Sequence, residues 1–451
     1  MDIKQFEDLT KGSFPLDKEA MEACKLRWNE VAKPLYSLGT FEKYLIKIAG
    51  ITGCQDIKLD KKAIVVMCSD NGVVEEGVTQ TDQSVTAIVA GHIAEGKGNI
   101  NTLARYSGAQ VIAVDIGMNT GEEKTGELNK HIEREKSAEL DKHIERDKTK
   151  ELDRHIEREK SAELDKHIER EKTKELDRHI EREKSAELDK HREREKSEKL
   201  IKHEETAWQE NTDVTFLNGL IAAKVAKGTG NIAKGAAMSR AQAVQAIMTG
   251  INLMRELKDK GYSIVGTGEM GIGNTTTSSA MASVMLKLPV KTLTGPGAGL
   301  SNEGVVHKIQ VIEQAIEVNK PDSSDPVDVL AKIGGFDIAG ITGLFLGGML
   351  YRLPVVIDGI ISAVAALTAC RINPDAVHFM LASHQGREKA CDYILKELGL
   401  TPVIYGDLAL GEGSGTAFLF PLLDMAEAVY RNSPTFRGMK IVAYEDLKTG
   451  K

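Results

Sequence analysis

Aromatic residues make up only 5% of the 451-residue chain, and its formal net charge is -8. Few rings are available to stack on bases, and an acidic chain has no general affinity for polyanions, so no nucleic-acid partner is expected. Cysteine is sparse. The five residues Cys24, Cys54, Cys68, Cys370 and Cys391 are scattered, odd in number and never form a C-x-x-C pair, which suggests neither a disulfide framework nor a zinc site. Long apolar runs are also missing. The apolar stretches are short and broken by glycine, and Met1 to Leu9 is charged, so neither a membrane span nor a signal segment is expected, and a reducing cytoplasm fits.

What is present is a large core in the making: 41% of the residues are apolar, enough for one big domain or two to three ordinary ones. Into that globular sequence is set a tract from about Glu127 to Lys202 with no glycine and no proline. It repeats a twelve-residue unit, HIEREKSAELDK in its first copy, with copies beginning at His131, His143, His155, His167, His179 and His191. Twelve residues advance a helix by about 1200 degrees, so the sparse Ile and Leu of each unit rotate by about 120 degrees per copy and no coiled-coil seam forms. The histidines recur about 18 Å apart along such a helix, a spacing that does not let two share a metal. An unbroken helical rod is also excluded if both ends rejoin one domain: about seventy-two residues reach about 108 Å, and the ten or so that follow return at most about 36 Å. Helical pieces with at least one break are expected. The organisation read from the sequence is a small helical unit from 1–40 and 421–451, an α/β domain from 41–120 and 213–420, and a charged insertion over 121–212.

In the α/β part, β-branched runs such as Ala63 to Met67, Gln110 to Val114 and Leu353 to Ile357 alternate with helical segments, the pattern of a mostly parallel, Rossmann-like sheet flanked by helices. Loops are expected at Cys68–Gly77, Gly266–Thr276, Thr294–Leu300, Gly334–Thr342 and Gly411–Gly415, where an open parallel sheet holds its ligands. Gly266 to Gly271 satisfies G-x-G-x-x-G, yet Met285 to Ser301 lacks the acidic residue that would bind a dinucleotide ribose. What survives is a glycine turn with Asn274, Thr275 and Thr276 capping a helix, either to hold a phosphate or simply as a turn and cap. Lys308, after Gly295, Gly297 and Gly299, reads either as a phosphate partner or as a surface lysine beside a flexible loop. Glu412, between Gly411 and Gly413, reads either as a base shielded by Leu408, Ala409 and Leu410 or as a solvated glutamate in a flexible turn. Ser383-His384 has no G-x-S-x-G elbow, so substrate contact is preferred to a hydrolase triad. Asp358 ends a strand where an acid meets a ligand or caps the next helix.

Six segments in order, VVMCSDNGVVEEGV (65–78), GNIAKGAAMSRAQA (230–243), GTGEMGIGNTT (266–276), KIGGFDIAGITG (332–343), LPVVIDGIIS (353–362) and LGEGSGTA (410–417), resemble the nicotinate-nucleotide dimethylbenzimidazole phosphoribosyltransferases of cobalamin assembly. The resemblance implies the α/β fold, a small helical domain from both termini, a homodimer, and nicotinate mononucleotide and a benzimidazole-like base as substrates. It implies no metal or other cofactor. By alignment, Glu412 resembles the general base and Glu269 a second acid near the reacting bases. Gly271, Gly297 and Lys308 resemble the phosphate and ribose contacts, Ser383, His384 and Gly386 a further stretch of the nucleotide pocket, and Thr81 a hydroxyl near the acceptor. Tyr36 stands where the family pattern has glycine, and Val89 where some relatives have a glutamine near the acceptor. A purine or phenol is therefore kept as an alternative acceptor, and a silent binding or scaffold protein that uses the insertion as the rival of another class.

Overall fold

The computed structural model describes residues 3–120, 215–217 and 219–444. The expectations for the repeat tract lie outside the described residues. Lys62–Ser69 (β1) is a β-branched run in which every residue is buried, as a strand covered on both faces requires. It pairs in parallel with Ala109–Gly117 (β2), Val65 facing Ile112. The sheet also holds Thr215–Leu217 (β3), Leu220–Ala222 (β4), Ile264–Met270 (β5), Val355–Ile357 (β6) and Met380–Ala382 (β7), in the order β3-β4-β2-β1-β5-β6-β7. The six strands from β4 across to β7 all run parallel.

From β1 the chain builds outward through β2 and β4 on one side and later through β5, β6 and β7 on the other. That reversal between β1 and β5 opens a crevice beyond the carboxyl ends of the strands. The helix Phe336–Tyr351 (FDIAGITGLFLGGMLY) is buried from Phe336 to Met349, because a helix that is apolar or small on every face belongs inside the core. Its first turn places Asp337, fully buried, behind the crevice wall. The two ends of the chain meet: Trp28 of the Lys18–Glu30 helix packs on Tyr430 of the Ser414–Asn432 helix with ring centroids 5.0 Å apart, and the Ala32 N–H donates to the Pro434 carbonyl at 2.9 Å.

Three stretches expected as loops are mostly regular structure. Gly266 to Met270 completes β5, leaving only Gly271 to Gly273 as the turn. Phe336 to Thr342 is helix, and Cys68 and Ser69 end β1 before a 3-10 turn at Gly72–Glu76. Glycine reads as a loop former, whereas in β5 it serves close approach: a Cβ on Gly268 would lie 2.5 Å from the Glu412 carbonyl oxygen.

Candidate active site

A cavity of about 230 Å³ opens beyond β5 and β6. Of the residues singled out from the sequence, Glu412, Glu269, Gly271, Gly297, His384, Gly386, Thr81 and Asp358 line it, with Thr81 exposed at the rim. Lys308 and Ser383 stand behind the wall.

Glu412 owes its position to a turn in which three successive residues have left-handed backbone, Gly411 at φ 75°, Glu412 at 58° and Gly413 at 94°. Glycines on both sides make such a turn possible, and the strained glutamate between them is the kind of outlier found at functional sites. Asp358 fixes the turn. Its carboxylate does not cap its own helix, Gly359–Ile372, but accepts from the Gly413 N–H at 3.0 Å and the Gly415 N–H at 2.7 Å. Burial lifts the Asp358 carboxyl to about 7 against the pull of those backbone donors. Glu412 is 7% exposed, so the solvated-turn reading fails. One oxygen, Oε2, accepts from the Ile100 N–H at 3.3 Å in the first turn of the Asn99–Ser107 helix. Burial raises its carboxyl above the usual range, with the Ile100 N–H opposing. Leu408, Ala409 and Leu410 line the cavity beside it, half-buried, exposed and exposed.

Opposite this turn, Glu269 lies near the end of β5. The residue as a whole is half-buried, one side on the cavity and its carboxyl among protein groups. Asn274 does not cap the Asn274–Leu286 helix as expected; Gly273, with φ 95°, is the cap residue. The Asn274 amide nitrogen instead donates to Glu269 Oε2 and, at 3.0 Å, to Asp337 Oδ2. Burial, then the Asp337 charge, raises the Glu269 carboxyl to about 8, while burial raises Asp337 to about 6.

The third wall is suited to an anion. The helices Asn274–Leu286 and Gly359–Ile372 both begin on it, where the helix dipole favours negative charge. Lys308, in the Asn302–Asn319 helix, is 1% exposed, which rules out the surface-lysine reading. Its Nζ donates to Thr275 Oγ1 at 2.8 Å, and Thr275 faces the cavity. Burial lowers the Lys308 ammonium to about 8, with Glu388 acting in the other direction. The Gly297 N–H donates to Glu388 Oε1 at 2.9 Å.

Ser383 is buried and does not reach the cavity. Its Oγ lies 2.6 Å from the Ile357 carbonyl oxygen and 2.9 Å from His384 Nδ1. A hydroxyl has one proton, and the carbonyl can only accept. Nδ1 therefore carries the ring proton and donates to Oγ, leaving Nε2 as the acceptor. A serine whose proton is committed to the backbone is no nucleophile, and burial lowers His384 to about 4, keeping the ring neutral.

Sequence reasoning missed Asp337 and Glu388. For Asp337 a signal existed: an acid between Phe336 and Ile338 at the start of an apolar run has no reason to be there unless it is paired. Glu388, between Arg387 and Lys389, looks like an ordinary surface charge. Val89 is half-buried and is not among the residues lining the cavity. Tyr36 has φ 60°, the left-handed conformation that explains a glycine at that position in the family pattern.

The sequence matches the DBI_PRT phosphoribosyltransferase family over residues 14–151 and 202–441, the interruption falling within the repeat tract. It is 36% identical to the nicotinate-nucleotide--dimethylbenzimidazole phosphoribosyltransferase of Clostridium acetobutylicum over 442 residues, 98% of this chain and 99% of that one. It is also 36% identical to the protein of the same name from Ruminiclostridium cellulolyticum, over 98% of this chain and 99% of that one. The fold resembles the crystal structure of CobT from Thermus thermophilus, with a TM-score of 0.69 and 26% identity over 94% of this chain and 99% of that one. A family match over most of the globular sequence and relatives this similar along almost their whole length lead to one conclusion: the chain belongs to the phosphoribosyltransferase family.

Proposed function

We propose that the protein transfers the phosphoribosyl group of nicotinate mononucleotide to dimethylbenzimidazole or a related base, giving an α-ribazole phosphate and nicotinate for a cobamide. The observation that carries this reading is the buried Glu412 carboxylate, held in its left-handed turn on one wall of a cavity whose other wall, from Gly271 through Gly297 to Lys308, suits a phosphate. The relatives' enzyme name supplies the substrates.

The glycosidic nitrogen of the donor is a pyridinium. As its bond to the ribose carbon breaks, the electron pair returns to the ring and nicotinate leaves with a neutral ring nitrogen. The unprotonated acceptor nitrogen forms the new bond from the opposite face, so the β-nucleotide becomes an α-product. Positive charge then spreads over the imidazole ring, its N–H becomes acidic, and Glu412 takes that proton. Donor and acceptor held on opposite sides of one carbon gain much of their acceleration from orientation. A homodimer is part of the proposal, supported by apolar groups left exposed beside the Glu412 turn, Leu410 at 47% and Phe418 at 44%. A cytoplasmic location is supported by five cysteines that are all unpaired.

Lys308→Ala tests the phosphate end. A charge-assisted hydrogen bond contributes about 1.5–3 kcal/mol, so nucleotide affinity measured by calorimetry is expected to fall by about tenfold or more while affinity for the free base stays the same. Equal losses for both ligands, or none for either, contradict the assignment.

A further inference from the structure

The cavity wall carries the carboxyl groups of Glu269, Asp358, Glu388 and Glu412, with Asp337 directly behind it, against the cations Lys308 and Arg387. A nucleotide with a phosphate and a ring carboxylate would enter a strongly repulsive site if all five acids were ionised. Asn274 shows where the charge is relieved. Its amide nitrogen donates one N–H to Glu269 and the other to Asp337, which draws two carboxyl groups to a single NH2 group away from bulk water. Like charges at that separation do not both ionise readily; one proton stays with the pair.

We propose that Asp337 is a positioning residue for Glu269: through the shared Asn274 amide it holds Glu269 against the cavity in its proton-bearing form, leaving Glu412 to accept the proton of the reaction. Asp337 is the member of the pair built to be the anion. It lies in the first turn of the Phe336–Tyr351 helix, where the dipole favours negative charge, and its Oδ1 accepts from the Ile338 N–H at 2.9 Å. Glu269, by contrast, lies on a strand and, among the described residues, its carboxyl is paired only through the Asn274 side chain. The charged groups facing it act in the same direction, Asp337, Asp358 at the end of β6 and Glu412 from its turn, and neither the neutral His384 beside Asp358 nor the protonated Cys68 thiol of β1 opposes them. The rise of the Glu269 carboxyl to about 8 agrees with this reading.

The assignment of the reacting proton rests on the function proposed above, but the ionisation of Glu269 does not, and it is measured without substrate. Infrared difference spectra of the ligand-free protein against Glu269→Gln at pH 7 are expected to show the carbonyl stretch of a protonated carboxylic acid that the variant lacks. That band is expected to titrate near pH 8, to move down by about one pH unit in Asp337→Asn and to move up in Asn274→Ala, which removes a donor that stabilises the carboxylate. A merely structural role for Asp337 leaves the midpoint in place or moves it the same way in both variants. No acid band at pH 7, or an unmoved midpoint in Asp337→Asn, overturns the proposal; if that variant does not fold, the band and the Asn274→Ala shift decide. A protonated Glu269 in a protein that transfers nothing would sink the function and leave this inference standing.

Discussion

Glu412→Gln is expected to lower turnover by about a hundredfold or more, with nucleotide affinity nearly unchanged, because general-base catalysis contributes about 10²–10⁴. The amide preserves shape, and its oxygen can still accept from the Ile100 N–H, so the turn and the cavity wall survive the change. What is lost is the ability to take a proton. Glu269 is the second acid expected near the reacting bases, and its carboxyl stands at about 8. The residual activity of Glu412→Gln should therefore climb as pH passes through about 8, where Glu269 becomes a base, and disappear in the double variant. Steady-state kinetics across pH checks both statements. Full activity in the single variant removes Glu412 from the chemistry.

Gly268→Ala is expected to have an effect of similar size from a residue that touches no substrate. A Cβ at Gly268 would lie 2.5 Å from the Glu412 carbonyl oxygen, 2.6 Å from its carbon and 2.9 Å from the Gly413 nitrogen. All three are backbone, so no side chain can swing aside. The opposite face offers no room either, because Gly413 sits where its own Cβ would meet Ile64 Cγ2 at 2.5 Å. The Glu412 turn must shift, and a misplacement of about 1 Å at a reacting group costs on the order of a hundredfold. The loss should fall on kcat, with the nucleotide dissociation constant close to that of the parent, since the Lys308 wall lies elsewhere. A variant with normal kcat would mean that the turn adapts and that its geometry is not critical.

The parts of the fold that can be read from the sequence are those governed by local pattern. The β-branched runs 63–67, buried throughout, and 110–114, buried from Ile112, form parts of β1 and β2. Glycine-flanked acids and lysines lead to the cavity because backbone freedom and close approach leave a mark in the letters themselves. Partners far apart in sequence leave none. Asn274 carries the local signature of a cap, and only the fold shows that Glu269 and Asp337 claim its amide. Asp358 likewise has the position of a cap, yet its carboxylate is drawn 55 and 57 residues along the chain to Gly413 and Gly415. Gly268 reads as loop because its real neighbour, the Glu412 backbone, is supplied by a distant turn. Lys308 is ambiguous in the sequence for the same reason: burial is a property of what packs on a residue, and the letters around it do not say.

The central claim is that one cavity joins donor and acceptor across a single ribose carbon and that Glu412 takes the proton released. Its most direct test is incubation of the full chain with nicotinate mononucleotide and a mixture of benzimidazoles, purines and phenols, with products identified by mass spectrometry and their anomeric configuration by NMR. The expected result is nicotinate released in equal amount with an α-configured benzimidazole ribotide. A β-configured product, or no nicotinate released with any of these bases, would contradict the account.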